Sequence, residues 1–211
     1  MESKSHWEKV YREKEPDGVS WYQEHAERSL ALIDKYRPQT DAQLIDVGAG
    51  ASTLIDDLLR MGYQNLTVLD ISAAGLNVAR ERLGAEAERV SWIEADITSA
   101  SLPRHRYDLW HDRAVFHFLT EPEDRAKYIQ VMSASLKPDG IAIIGTFAEE
   151  GPSQCSGLPT ERYSAASLAT VLGDQFEALE SAYEVHLTPN GRTQQFLYGC
   201  FGMRSNVVPT R

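Results

Sequence analysis

Apolar residues fall in short runs that recur along the chain, and stretches with helical spacing separate them. Residues 43–47, 66–70, 89–94, 107–112 and 140–147 have the length and apolar content of buried strands. Residues 52–61, 73–83, 122–135 and 164–173 carry apolar positions at helical spacing. Gly62 and Gly84 stand just past two of these helices, where a left-handed residue ends a helix most easily. Ile141-Ala142-Ile143-Ile144-Gly145-Thr146-Phe147 is nearly all apolar, as a strand covered on both faces requires. Lys137-Pro138-Asp139-Gly140 reads as the turn leading into it. Ahead of this alternation, residues 6–14 and 24–36 predict two helices with a turn over 15–20 between them. After it, Phe176–Leu187 and Thr193–Met203 are strand-like and flank Pro189-Asn190-Gly191, a hairpin signal. The order is α/β: alternating units followed by an antiparallel hairpin, giving a doubly wound, mostly parallel sheet of seven strands.

Three strand ends carry the candidate chemistry. Leu44-Ile45-Asp46-Val47-Gly48-Ala49-Gly50-Ala51-Ser52 passes from a strand through a Gly-x-Gly turn into a helix. Gly48 and Gly50 have no Cβ, so backbone can meet a nucleotide-like ligand, although a tight turn without a ligand would use the same glycines. The second strand ends in Asp70 and the third in Glu94-Ala95-Asp96. In a parallel sheet such ends open on one crevice. Asp70 has two oxygens to offer a vicinal diol. Asp96 serves a ligand or, equally, a turn before Thr98, and Ser52 could cap the helix that follows it.

Composition narrows the classes. A chain of 211 residues with 42% hydrophobic and 25% charged residues builds one substantial core. Its net charge of −10 argues against nucleic acid as a partner. Cys155 and Cys200 form neither a disulfide framework nor a metal-type spacing, so no metal is expected and a reducing cytoplasmic location is. Met1–Lys9 has no apolar core for a signal peptide, and no stretch reaches membrane-spanning length, so no membrane partner is expected. Trp7, Tyr11, Trp21 and Tyr22 mark residues 1–23 as an aromatic lid segment, or one that simply packs on the domain. Residues 24–205 form a single domain and 206–211 a tail.

Taken in order, Asp46–Ser52, Asp70, Asp96-Ile97, Tyr107-Asp108-Leu109-Trp110-His111-Asp112 and Leu136–Gly140 resemble the class I (seven-β-strand) S-adenosylmethionine-dependent methyltransferases. The likeness covers nearly all of residues 22–203, with Ser52 where a third glycine is often found. It implies a Rossmann-like sheet and S-adenosyl-L-methionine as cofactor. It implies that Gly48 and Gly50 meet the methionine part and that Asp46 sits near the methionyl ammonium. Asp70 would take the ribose hydroxyls, Asp96 the adenine amino group and Ile97 the adenine ring. Ile71 and Trp21 complete the implied cofactor-binding set.

In related enzymes the segment Asp112-Arg113-Ala114-Val115-Phe116-His117-Phe118-Leu119 faces the transferring methyl group. Methyl transfer from a sulfonium is an in-line displacement that needs alignment, excluded water and sometimes a base. Asp112 and His117 are the candidate bases, with His111 less suited if it points into strand packing. His117, set among Phe116, Phe118 and Leu119, reads equally as a core histidine. Arg113 would bind an acidic substrate group or pair with Asp112. The long stretch Glu149–Tyr163 suits a substrate wall, with Cys155 as loop or pocket lining.

The openings His6-Trp7-Glu8-Lys9-Val10-Tyr11 and Val19-Ser20-Trp21-Tyr22-Gln23 are similar to relatives of citrate synthase lysine methyltransferase. Those enzymes tend to have Asp-Lys-Gly-Thr after strand four, where this chain has Asp112-Arg113-Ala114-Val115. The acceptor is therefore a small molecule or a protein side chain. Two rival classes share part of the pattern: a nicotinamide-dependent oxidoreductase and a non-catalytic cofactor-binding protein. Thr53 stands where the dinucleotide fingerprint closes on glycine or alanine, which disfavours the first.

Overall fold

The computed structural model describes residues 4–204, so residues 1–3 of the expected lid segment, residue 205 of the expected domain and the expected tail over 206–211 lie outside it. Five parallel strands follow the expected runs: β1 (Gln43–Val47), β2 (Asn65–Asp70), β3 (Val90–Glu94), β4 (Tyr107–Arg113) and β5 (Leu136–Phe147). A two-residue ribbon, β6 (Gln154–Cys155) and β7 (Leu158–Pro159), precedes the hairpin of β8 (Phe176–Leu187) and β9 (Thr193–Met203). The main sheet has seven strands in the order β3-β2-β1-β4-β5-β9-β8. Only β9 runs against its neighbours β5 and β8. The expected α/β, Rossmann-like sheet is the one observed.

Helices α1 (Lys4–Glu13), α2 (Glu27–Tyr36), α3 (Leu54–Arg60), α4 (Ala73–Leu83), α5 (Pro122–Ser135) and α6 (Ala165–Leu172) cover the sheet. Alternation along the strands splits the core in two. Leu44, Leu66 and Leu109 pack with Ile33, Leu54 and Leu58 on one face. Ile45, Leu69 and Trp110 pack with Tyr128, Met132 and Leu168 on the other. No helix among the described residues is long and apolar enough to cross a membrane.

Three local features differ from the sequence reading. Lys137–Gly140 lies inside β5 as a bulge, because Tyr107 pairs with Leu136 while Leu109 already pairs with Ile141. Asp139 takes φ +62 there, and Lys137 Nζ donates to the Asp108 carboxylate at 2.8 and 2.9 Å, fastening the bulge to β4. Helix α2 starts at Glu27 rather than residue 24, and the carbonyls of Ser20, Trp21 and Gln23 ahead of it are taken by His186, Arg113 and Thr53 side chains instead of by helical amides. The Glu149–Tyr163 stretch contains the β6–β7 ribbon.

The sheet order reverses between β1 and β4, so their carboxyl ends part at a crevice beside Val47 and Asp112. The end of β4 is held from below. Trp110 Nε1 donates to Tyr128 Oη at 2.8 Å, and Tyr128 Oη donates to Asp112 Oδ2 at 2.6 Å, all three side chains being buried. Tyr128→Phe leaves a buried indole N–H and a buried carboxylate short of a partner. The expected loss is about 1–3 kcal/mol of stability by urea unfolding; an unchanged midpoint would show that the network carries no weight.

Candidate active site

The crevice is built on a left-handed turn. Gly48 and Gly50 take φ +69 and +48, and Gly48 N–H donates to the Leu69 carbonyl at 2.7 Å, tying the turn to β2. A Cβ on Gly48 would lie 1.8 Å from Val115 Cγ2, and one on Gly50 would lie 1.9 Å from Tyr11 Oη. Any side chain at either position would collide as well as strain the backbone.

Asp46 ends β1 with its Oδ1 held 2.7 Å from His111 Nδ1, and His111 Nε2 lies 2.8 Å from Ser29 Oγ on α2. Asp46 Oδ2 is buried without a partner. His111 therefore points into the packing, and its task here is to orient Asp46. Asp70 ends β2 at 5% exposure, with Oδ1 accepting from Ser72 N–H at 2.8 Å. Burial lifts its carboxyl to about 7. A buried carboxylate served only by backbone amides and with no cation beside it gains from added hydroxyl donors, and the free Asp46 oxygen gains from a cation. These two acids and the Cβ-free turn fit a ligand that offers a diol and an ammonium.

The N-terminal segment closes the crevice from above. Glu8 Oε1 on α1 accepts from Ser72 Oγ at 3.1 Å and from Ala74 N–H at 3.2 Å, at the start of α4. Lys4 pairs with Glu94 at the end of β3. Trp7 packs edge-on against Trp21 and Phe118, at 5.9 and 5.1 Å between centroids. Beneath these rings lies a cavity of about 590 Å³, mouth included, walled by Gly48, Asp70, Ile71, Ile97, Trp21 and Arg113 among others. A second hollow of about 530 Å³ reaches Asp46 and His111 and shares Gly48, Trp21 and Arg113 with the first.

The structure thus brings together Gly48, Asp70, Ile71, Ile97 and Trp21, with Asp46 next door. Gly50 sits under Tyr11. Asp96 lines neither cavity; its Oδ1 accepts from Thr98 N–H at 2.9 Å and Thr98 Oγ1 at 2.7 Å, the turn-capping role. The expected bases are placed otherwise than a base requires. The Asp112 carboxylate accepts from Tyr128 Oη and from the amides of Val115 and Phe116 at 2.9 and 3.1 Å, and burial raises it to about 6. Arg113 does not pair with it, because those donors already surround the carboxylate. His117 Nδ1 accepts from Phe147 N–H at 3.2 Å. Burial, then the Arg113 charge, push the imidazole down to about 3, so the ring is neutral with its proton on Nε2. As placed, His117 is a donor rather than a base. Cys155 is buried, and burial raises its thiol.

Glu8 and Ser72 were not legible as site residues. Ser72 could have been found from the polar-to-apolar switch after Asp70; Glu8 had no local signal, being 64 residues from its partner.

Comparison with known proteins agrees with this geometry. A family described as a methyltransferase domain matches residues 44–140, from β1 to the bulge of β5. The chain is 24% identical over 129 residues to the mouse eEF1A lysine and N-terminal methyltransferase, covering 61% of this chain and 18% of that protein. It thus spans under a fifth of that curated relative's length. A protein solved in work on the conversion of a disulfide bond into a thioacetal group during echinomycin biosynthesis shares the fold. It superposes with TM-score 0.78 at 18% identity, over 97% of this chain and 94% of that one. Burkholderia thailandensis 1,6-didemethyltoxoflavin-N1-methyltransferase, solved with that compound and S-adenosylhomocysteine, superposes with TM-score 0.68 at 20% identity, over 84% and 77%. The family match is confined to residues 44–140, and the two superpositions show a shared α/β fold.

Asp70 gives the site a pH signature. Its carboxyl is raised above the usual carboxylate range, so near neutrality a sizeable fraction is protonated in the ligand-free protein. A diol ligand needs the ionised form, so its binding should strengthen as pH rises through about 7. S-adenosylhomocysteine should bind roughly tenfold more tightly at pH 8 than at pH 6, with proton release seen as buffer-dependent heat. A flat profile would show that Asp70 does not receive the ligand.

Proposed function

We propose that the protein is a methyltransferase that takes its methyl group from S-adenosyl-L-methionine and delivers it to a small molecule or a protein side chain. The observation that carries this reading is the placement of two buried acids, Asp46 with a free oxygen and Asp70, on either side of the Gly48–Gly50 turn. A pyrophosphate cofactor would meet negative charge there, whereas a ligand bearing an ammonium and a diol meets its complements. The family match over residues 44–140 supports the same activity.

The bound cofactor supplies an electrophilic methyl sulfonium. The chain's own residues then have three tasks. Asp70 would bind the ribose hydroxyls and Asp46 the methionyl ammonium, with Ile71, Ile97 and Trp21 packing around them. Trp7, Trp21 and Phe118 exclude water from the crevice. The turn between Asp112 and Val115 fixes the wall against which the acceptor aligns. Neither Asp112 nor His117 has a free lone pair facing the crevice, so alignment carries the rate and the acceptor arrives as a competent nucleophile.

The relationship to citrate synthase lysine methyltransferase rests on the His6–Tyr11 and Val19–Gln23 blocks, and Trp7, Tyr11 and Trp21 from those blocks line the larger cavity. Residues 4–23 act as the lid of that cavity. The net charge of −10 supports an acceptor other than nucleic acid. Two free buried cysteines support a reducing, cytoplasmic setting.

Calorimetry tests the assignment. Asp70→Ala should weaken S-adenosylhomocysteine binding by roughly ten- to a hundredfold, the value of lost charged hydrogen bonds. Wild-type protein should transfer labelled methyl to a fraction of cell extract. Binding of NAD, with no affinity for either sulfur cofactor, would overturn the reading.

A further inference from the structure

The methyltransferase reading leaves the acceptor open, and any assignment of the acceptor rests on that reading. Arg113, the last residue of β4, sends its guanidinium across the sheet toward β9. Its Nε donates to Tyr198 Oη at 2.9 Å, its Nη1 donates to the Trp21 carbonyl at 2.8 Å, and its face lies 4.5 Å from the Phe196 ring centre. The remaining nitrogen, Nη2, is buried and has no partner. Among the described residues no carboxylate lies within ion-pair distance of this cation. Asp112 is enclosed by Tyr128 and two amides, and Glu184 reaches only the Tyr198 hydroxyl, at 3.3 Å. A half-buried guanidinium with a buried, unpartnered Nη2 is complementary to an anion.

Its position decides which anion. The cofactor acids and glycines belong to β1 and β2, whereas every partner of Arg113 belongs to β9 or to the lid segment. Arg113 borders both hollows, and its partners on β9 set the guanidinium on the side of the crevice away from the β2 acid, where an acceptor would enter. There the walls are aromatic: Trp7, Trp21 and Phe118. Among the described residues of the larger cavity, Asp70 is the only carboxylate and Arg113 the only cation. His117 adds a second unpartnered donor, its buried Nε2, beside the same Phe196 ring, 6.4 Å away between centroids. A lysine acceptor would carry an ammonium toward a guanidinium, and the acid on this side, Glu184, is held at the Tyr198 hydroxyl.

We infer that the methyl acceptor is a small molecule with an apolar body and a carboxylate, that Arg113 holds the carboxylate, and that the aromatic walls hold the body. The preference for a small acid over lysine follows from the Arg113 guanidinium, whose Nη2 has no partner and whose other nitrogens are held by Tyr198 and the Trp21 carbonyl.

The test uses the full chain loaded with S-adenosylhomocysteine and three matched probes, benzoate, benzamide and benzylamine, read by ligand-observed NMR. Benzoate should bind at least tenfold more tightly than benzamide, and benzylamine more weakly than either. Arg113→Met should erase the preference for benzoate, and Arg113→Lys should restore part of it. Equal binding of benzoate and benzamide to wild-type protein overturns the inference while leaving the methyltransferase reading intact, and it needs no variant to fold. A preference for benzylamine overturns it in favour of a cationic acceptor. A tenfold fall in S-adenosylhomocysteine affinity for Arg113→Met, with the benzoate preference retained, would assign the guanidinium to the cofactor's own carboxylate and also overturn it. Failure of wild-type protein to bind S-adenosylhomocysteine at all would instead remove the methyltransferase reading on which the inference rests.

Discussion

A backbone with no room for a side chain organises this site. The chain leaves β1 through two left-handed residues, and Tyr11 from the N-terminal helix and Val115 from the β4 end both close onto the space where Cβ atoms would stand. That closeness sets where the N-terminal helix can sit, how near β4 comes to β1 and which strand ends can share a ligand. Three parts of the chain that are distant in sequence meet at Gly48 and Gly50 because those residues have no side chain.

Around this turn the acids are positioned by buried partners. Asp46 is oriented by His111, and His111 by Ser29. Asp112 is fixed by Tyr128, which is in turn fixed by Trp110. Both chains run through the core, where low dielectric makes each hydrogen bond count and each missing one costly. The two acids differ in their spare capacity. Asp112 has its oxygens engaged and acts as a cornerstone of the β4 turn, while Asp46 keeps one oxygen free at the crevice. The same distinction separates Arg113, with a free nitrogen, from the exposed arginines of the surface pairs.

Much of the architecture was legible in the sequence because it is written in local periodicity. The hairpin strands Phe176–Leu187 and Thr193–Met203 and helices 73–83 and 122–135 follow from apolar spacing, turn residues and prolines near their ends. The bulge at Lys137–Gly140 was not legible, since a Pro-Asp-Gly run reads as a turn. Only its pairing to β4 through Leu136 and Ile141 makes it part of a strand. At the site, the residues on the glycine turn and at strand ends were legible because topology alone gathers them. The state of each side chain was not. Whether Asp112 is free or His117 is a donor depends on Tyr128 and on the Phe147 amide, partners 16 and 30 residues away. Glu8 capping α4 is a contact that no local pattern announces.

In the proposed function one ligand spans the ends of β1 and β2 under the N-terminal helix. Hydrogen exchange with and without S-adenosylhomocysteine tests it directly, because each amide reports its own closure. Slower exchange should appear together at residues 48–52, at 70–72 and along α1, with β8 and the far hairpin unchanged. Exchange that stays the same at the glycine turn and α1 under saturating ligand, or that slows equally with NAD, would contradict it.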